Sequence, residues 1–300
     1  MVAKAFDIHF TGENSETVKV ENNRPQDSSA LDHVDYLAEK NKRIKKDIRL
    51  DAVLSLVTAF EYEMPEKMSE QEYDSMSEWL DLLYWTLPPF WNVHFLINDL
   101  RQNKESVFVD QRSLILVVEN HRKVVIGKSK DWTLSCNGRS NSGYYCGLWN
   151  LFHTISIGVA EQHMSVLGSK DRASTKHVAR TLRKYVQYFF GNVESQSWKS
   201  DFITSYENCD FKVCTRFNSK SKVSKDEHYW RELTIYLWEV HNSINIKVMK
   251  EKAKELDRIP TKEDERKAIW PSNQACPACR KNNDKWDHGE VYLFIKNEYW

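Results

Sequence analysis

Two stretches of helical pattern carry an indole and an imidazole one turn apart. Trp149 and His153 stand at i and i+4 of the first, while Trp238, His241, Asn242 and Asn245 stand at i, i+3, i+4 and i+7 of the second. At 3.6 residues per turn each set projects from one stripe of its helix. Two such stripes face to face would hold a planar, polar-edged ligand: the rings stack on it, and imidazole and amide groups bond its carbonyls, ring nitrogens or hydroxyls. The competing reading is that tryptophan and histidine pack in a bundle and satisfy one another.

The second reactive set is sulfur. All six cysteines lie in the second half of the chain, at 136, 146, 209, 214, 276 and 279. Their close spacings suit three local disulfides, although six cysteines permit 15 connectivities. Cys276-X-X-Cys279 with Cys209 and Cys214 also has the ligand types of a zinc site, at irregular spacing. The histidines at 177 and 228 have no ligand spacing and read as surface residues. No serine-nucleophile constellation or glycine-rich phosphate loop is present.

The elements that must position these residues read as helices. Nine glycines and seven prolines in 300 residues disfavour a turn-dense β-sandwich, and 41% hydrophobic residues suffice for a sizeable core. Forty-three basic residues balance 43 acidic ones, which argues against a nucleic-acid partner. The basic cluster Lys40, Lys42, Arg43, Lys45 and Lys46 reads as a solvated helix face. Residues 1–30 are polar and aperiodic, a flexible leader with no signal-peptide pattern. Asp81, Asn92, His94 and Pro88-Pro89 break the most apolar stretch, so no membrane span is expected.

From Leu31 a helical period runs to Phe60. Ser69 and Glu72 form a capping-box signature for a helix that must end at Pro88-Pro89, and Trp91 to Leu100 restarts the pattern. Residues 106–130 hold apolar clusters whose period decides neither helix nor strand. A boundary near 130 separates this helix-rich region, 31–130, from a second unit, 131–300. Helices are predicted there over 148–164, 174–190 and 229–256. A long polar connection is expected over 191–226, and irregular chain from 259 to a last helix around 291–296.

Four blocks occur in a specific order: Cys146-Gly-Leu-Trp-Asn-Leu-Phe-His153, Tyr185-Val-Gln-Tyr-Phe-Phe-Gly191, Leu237-Trp-Glu-Val-His-Asn-Ser-Ile-Asn245, and Trp270-Pro271 ahead of Cys276-Pro-Ala-Cys279. Together they resemble the flavin-binding Erv domain of the quiescin sulfhydryl oxidases, over roughly 131–300. The region before 130 resembles, more loosely, the helix-rich segment that precedes that domain. The resemblance implies an all-α fold, an Erv-type helical bundle preceded by a second helix-rich domain, which binds FAD. The family oxidises protein dithiols to disulfides and reduces O2 to H2O2, so dithiol-containing proteins are the implied partners and the secretory pathway the implied location. The aromatic faces leave a homodimer as a further expectation.

Carried over by position, Trp149 and His153, the run Trp238, Glu239, Val240, His241, Asn242, Ser243, Ile244 and Asn245, and Lys267 with Trp270 would contact FAD. Glu194 and Trp198 would lie beside it. Cys136 with Cys146 matches the family's structural disulfide, and Cys276 with Cys279 its accessory pair. Where the family has the flavin-proximal Cys-X-X-Cys-X-X-His, this chain has Asn192-Val-Glu-Ser195-Gln-Ser-Trp198. An amide and a hydroxyl cannot exchange disulfides or donate electrons as a thiolate, so the relay from substrate to flavin is cut. No thioredoxin domain is present in the chain. The resemblance therefore leaves two readings, a FAD-linked thiol oxidase and a catalytically inactive pseudoenzyme on the same scaffold. Cys209 and Cys214 would replace the lost dithiol only by folding back onto the flavin; a loop staple is the simpler reading.

Overall fold

In the computed structural model the described residues are 29–129, 131–133, 136, 140–164, 174–190, 196–217, 228–281 and 285–300. Among them every regular element is helical, and the sole β feature is an isolated bridge between Arg280 and Trp286. Helix α1 (Ser29–Tyr62) buries Ala52, Leu56 and Phe60 together with Val53 and Val57, the i, i+4 stripe of a helix facing a core. Helix α2 (Glu70–Thr86) starts at the expected capping box: Ser69 N–H donates to Glu72 Oε2 at 2.8 Å, and Glu72 N–H donates to Ser69 Oγ at 3.3 Å. It stops at Thr86, two residues before Pro88. Helices α3 (Val93–Gln102) and α4 (Lys104–Val107) follow.

The undecided stretch 106–130 holds helix α5 (Gln111–Ile126), capped by Asp110 and terminated at Gly127, whose φ of 67° suits glycine. Leu114 and Val118 point inward while Leu116 stays exposed, so an apolar run that reads as either element is used on one helical face. Helix α6 (Ser140–Met164) begins eight residues earlier than its apolar period suggests and takes in Cys146. Helix α7 (Thr175–Phe189) is capped by Ser174, whose Oγ accepts from His177 N–H.

The expected polar connection over 191–226 is corrected by helix α8 (Gln196–Glu207) and the single turn α9 (Val213–Arg216). Buried Phe202 with half-buried Ile203 and Tyr206 gives α8 a narrow i, i+4 stripe, diluted by Lys199, Ser200, Asp201 and Thr204. Helix α10 (His228–Glu255) matches its period. The irregular region after 259 contains α11 (Lys262–Ala268), started by a Thr261–Asp264 capping box, and the last helix is longer than expected, α12 (His288–Tyr299).

Helix α6 is central, with α1, α2, α10 and α12 packed around it. The main core runs from Ala52 of α1 through α2, α3, α5, α6 and α7 to Ile244 of α10. A second cluster joins Ile48, Ile157, Ala160, Ile235 and Trp238 to Tyr292, Ile295 and Tyr299 of α12. Disulfides link Cys136 to Cys146, Cys209 to Cys214 and Cys276 to Cys279. The zinc alternative is thereby overturned, because its four sulfurs are bonded to one another in pairs. No helix among the described residues is long and apolar enough to cross a membrane.

Candidate functional site

Helices α6 and α10 bring the two aromatic and imidazole stripes together. The rings of Trp149 and His241 stack with centroids 4.2 Å apart and planes 2° from parallel. His153 Nε2 lies 3.1 Å from His241 Nδ1, a hydrogen bond in which one ring donates and the other accepts. All three side chains are at most 2% exposed. Trp270 leans on both imidazoles, at 5.4 Å from His153 and 5.9 Å from His241. Tyr299 closes the far side of His153 at 5.2 Å, and Phe294 meets Trp270 edge-on at 5.6 Å.

Two members of the α10 stripe, Trp238 and Asn242, hold backbone. Asn242 Nδ2 donates to Trp270 O at 2.7 Å, and Trp270 N–H donates to Asn242 Oδ1 at 2.8 Å, so one amide satisfies both sides of one residue. Trp238 Nε1 donates to the same carbonyl at 2.7 Å. This three-bond clamp fixes the segment after α11 against α10 and sets the Trp270 ring on the two histidines. Asn242→Ala strands a part-buried N–H and removes one of two bonds to the carbonyl. A loss of about 2 kcal/mol is expected in urea denaturation; an unchanged midpoint would show that the clamp contributes nothing.

The other positions expected to contact the cofactor lie outside this ring cluster. Val240 and Ile244 are buried in the main core. Glu239 pairs with Arg216, which also holds Glu232. Ser243 is exposed, its Oγ donating to Val240 O, and Asn245 is half-buried. Lys267 is exposed and reaches Glu263 at 3.7 Å. Helix α11 ends between Lys267 and Trp270, with Ile269 extended, so their three-residue spacing does not put them on one face. Asn192, Glu194 and Ser195 lie outside the described residues, and of Trp198 only its place in α8 is described. Sequence reasoning missed Tyr299 and Phe294; they follow no spacing that ties them to α6 or α10. Burial holds the Tyr299 hydroxyl far above the usual phenol range, so it stays protonated.

The fit of a flat cofactor follows from these distances. A ring lying between two others needs about 7 Å between their planes, twice the carbon contact distance of about 3.5 Å. Trp149 and His241 leave 4.2 Å. As they stand, the residues do not fit a flavin ring between them; each ring is the other's stacking partner.

The class is an Erv-like all-α bundle with a buried tryptophan and histidine pair between α6 and α10 and a disulfide just ahead of them. The chain is similar to the quiescin sulfhydryl oxidases. It is 28% identical over 172 residues to human sulfhydryl oxidase 2, covering 55% of this chain and 21% of that protein. Mouse sulfhydryl oxidase 2 is 27% identical over 161 residues, 52% of this chain and 20% of that protein. Sulfhydryl oxidase 1 of Arabidopsis thaliana is 26% identical over 177 residues, 55% and 26% of the two chains. The match thus spans about a fifth to a quarter of these relatives' length. A sulfhydryl oxidase fragment of human QSOX1 shares the fold, with a TM-score of 0.59 at 19% identity over 84% of this chain and 94% of that one. No family model matches the chain.

Proposed function

We propose that this chain keeps the scaffold of the FAD-linked sulfhydryl oxidases, whose reaction turns protein dithiols into disulfides and O2 into H2O2, while its own flavin-mediated step is silent. The observation that carries this reading is the Trp149–His241 stack, which leaves no room for a flat ring between the two. The sequence supports it independently, because Asn192 and Ser195 stand where the family's dithiol would and have no redox chemistry of their own. The three disulfides suit an oxidising compartment, and we place the protein in the secretory pathway on that ground.

A second reading, an active FAD-linked thiol oxidase acting on protein dithiols, is favoured by the relatives, which are sulfhydryl oxidases. The visible spectrum of the purified chain and oxygen uptake with dithiothreitol separate the two. The expected result is no flavin band and no uptake above the buffer rate, unchanged by Asn192→Cys with Ser195→Cys. A flavin band without turnover would overturn the packing half of the proposal. A yellow protein whose uptake rises at least tenfold with dithiothreitol would establish the second reading.

A further inference from the structure

The three disulfides differ in what surrounds them. Cys136, Cys146, Cys276 and Cys279 are each at most 8% exposed, inside the two core clusters. Cys209 and Cys214 are both exposed, in the turn that follows α8. Attack on a disulfide requires a thiolate to reach one sulfur along the bond axis, so burial protects two bridges and exposure leaves the third open.

The backbone around the open bridge is strained. Cys209, Phe211 and Lys212 have φ of 63°, 50° and 62°, the left-handed region that side-chain-bearing residues avoid. Such conformations persist only where surroundings impose them. Here the six-residue ring closed by the bridge does so, together with apolar anchors. Phe211 packs on the main core, and Val213 and Phe217 are buried in it. Opening the bridge frees the ring to relax while the anchors keep α8 and α10 in place. Strain relieved on reduction makes a disulfide a better oxidant. The ring carries one cation, Lys212, and one anion, Asp210, both exposed, so its charges offset and accessibility and strain set its reactivity.

We infer that Cys209–Cys214 is a thiol–disulfide exchange site that accepts electrons from exposed dithiols without a flavin. A substrate thiolate attacks one sulfur of the bridge; the S–S bond breaks, a mixed disulfide forms, and the other cysteine leaves as a thiolate. The second substrate thiolate then attacks the mixed disulfide. Substrate departs as its own disulfide, and Cys209 and Cys214 hold its two electrons and, once protonated, its two protons. The reverse sequence with a low-molecular-weight disulfide such as oxidised glutathione restores the bridge. This reading does not depend on whether the family's relay is silent.

The test is anaerobic titration of the full native chain with dithiothreitol, followed by alkylation and peptide mapping. Cys209 and Cys214 should be labelled at least tenfold faster than the other four cysteines, two thiols per chain, before any change in helix content. Equal labelling of all six, or a Cys209–Cys214 bridge that opens only in denaturant, overturns the proposal. Strain is tested separately by comparing Lys212→Gly, which tolerates the left-handed conformation, with Lys212→Ala, which removes the same charge and keeps the strain. The bridge of the glycine variant should be about threefold harder to reduce at equilibrium than that of the alanine variant; no difference would remove strain as the cause. Transfer of oxidising equivalents from oxidised glutathione to a reduced dithiol peptide should fall at least tenfold in Cys209→Ser with Cys214→Ser. Undiminished transfer overturns the proposal, and if that variant fails to fold the labelling of the native chain decides.

Discussion

Alanine at Gly158 is expected to destabilise the protein by about 3 kcal/mol, even though alanine is the better helix former by about 1 kcal/mol. Gly158 is buried on α6, five residues beyond His153, where α6 crosses the end of α2. A Cβ there would lie 1.8 Å from Thr86 O and 2.7 Å from Thr86 C. Those atoms are backbone. Thr86 is the last residue of α2, its Oγ1 bonded to Leu82 O, and Leu87 and Pro88-Pro89 follow, so this segment cannot yield as a flexible side chain would. Helix α6 must move instead. Its neighbours Ile157 and Val159 sit in different core clusters, so the displacement loosens both. Urea denaturation measures the loss, and weakened near-ultraviolet dichroism would report the disturbed Trp149–His241 stack. Gain of stability, as at an exposed helical glycine, would show that α6 and α2 do not approach this closely. Gly147 makes the same approach to α1, with a Cβ position 2.4 Å from Asp51 O.

These two glycines also explain what the sequence left hidden at the site. The turn-by-turn spacing of Trp149 with His153, and of Trp238 with His241 and Asn242, is legible because helix period alone fixes which side chains share a stripe. How near α6 stands to its neighbours is not legible in that way. It depends on Gly147 and Gly158 meeting backbone from helices distant in sequence, and on Tyr299 arriving from the last turn of the chain. Asn242 shows the same limit: an amide beside a histidine reads as a ligand group, yet its bonds are made to a peptide 28 residues away. Of the elements, α2 was legible through its capping box and proline stop. Helix α11 was equally signed by Thr261 and Asp264, but seven residues with six charges and one buried side chain give no apolar period. Helix α8 was missed because its stripe is three residues wide. The pairing of cysteines followed their spacing, whereas exposure, which separates Cys209–Cys214 from the other two bridges, comes only from packing.

Asp51→Asn should stabilise the protein at pH 8 by about 2 kcal/mol and leave it nearly unchanged near pH 4. Asp51 is wholly buried on α1 and accepts two bonds from Thr133, from N–H at 2.8 Å and from Oγ at 2.6 Å. Loss of water around the carboxylate outweighs these bonds, and Asp47 one turn earlier adds repulsion, so its pKa rises from 3.8 to about 6. The sign follows from proton counting. Between pH 4 and 6 the native state holds a proton that the unfolded chain has released, so stability falls as pH rises through this window. Above pH 6 the native carboxyl is ionised and the Thr133 bonds offset its burial only in part, a loss of about 3 kcal/mol relative to acid pH. Asparagine keeps an acceptor for Thr133 N–H and cannot ionise, which removes the penalty; part of the gain is given back because its amide offers one acceptor where the carboxylate offers two. Unfolding free energies of both proteins at pH 4, 6 and 8 check this. A variant less stable than the parent at pH 8 would show that the Thr133 bonds outweigh the desolvation of Asp51, and the bonds would then be what secures the segment leading to Cys136 against α1.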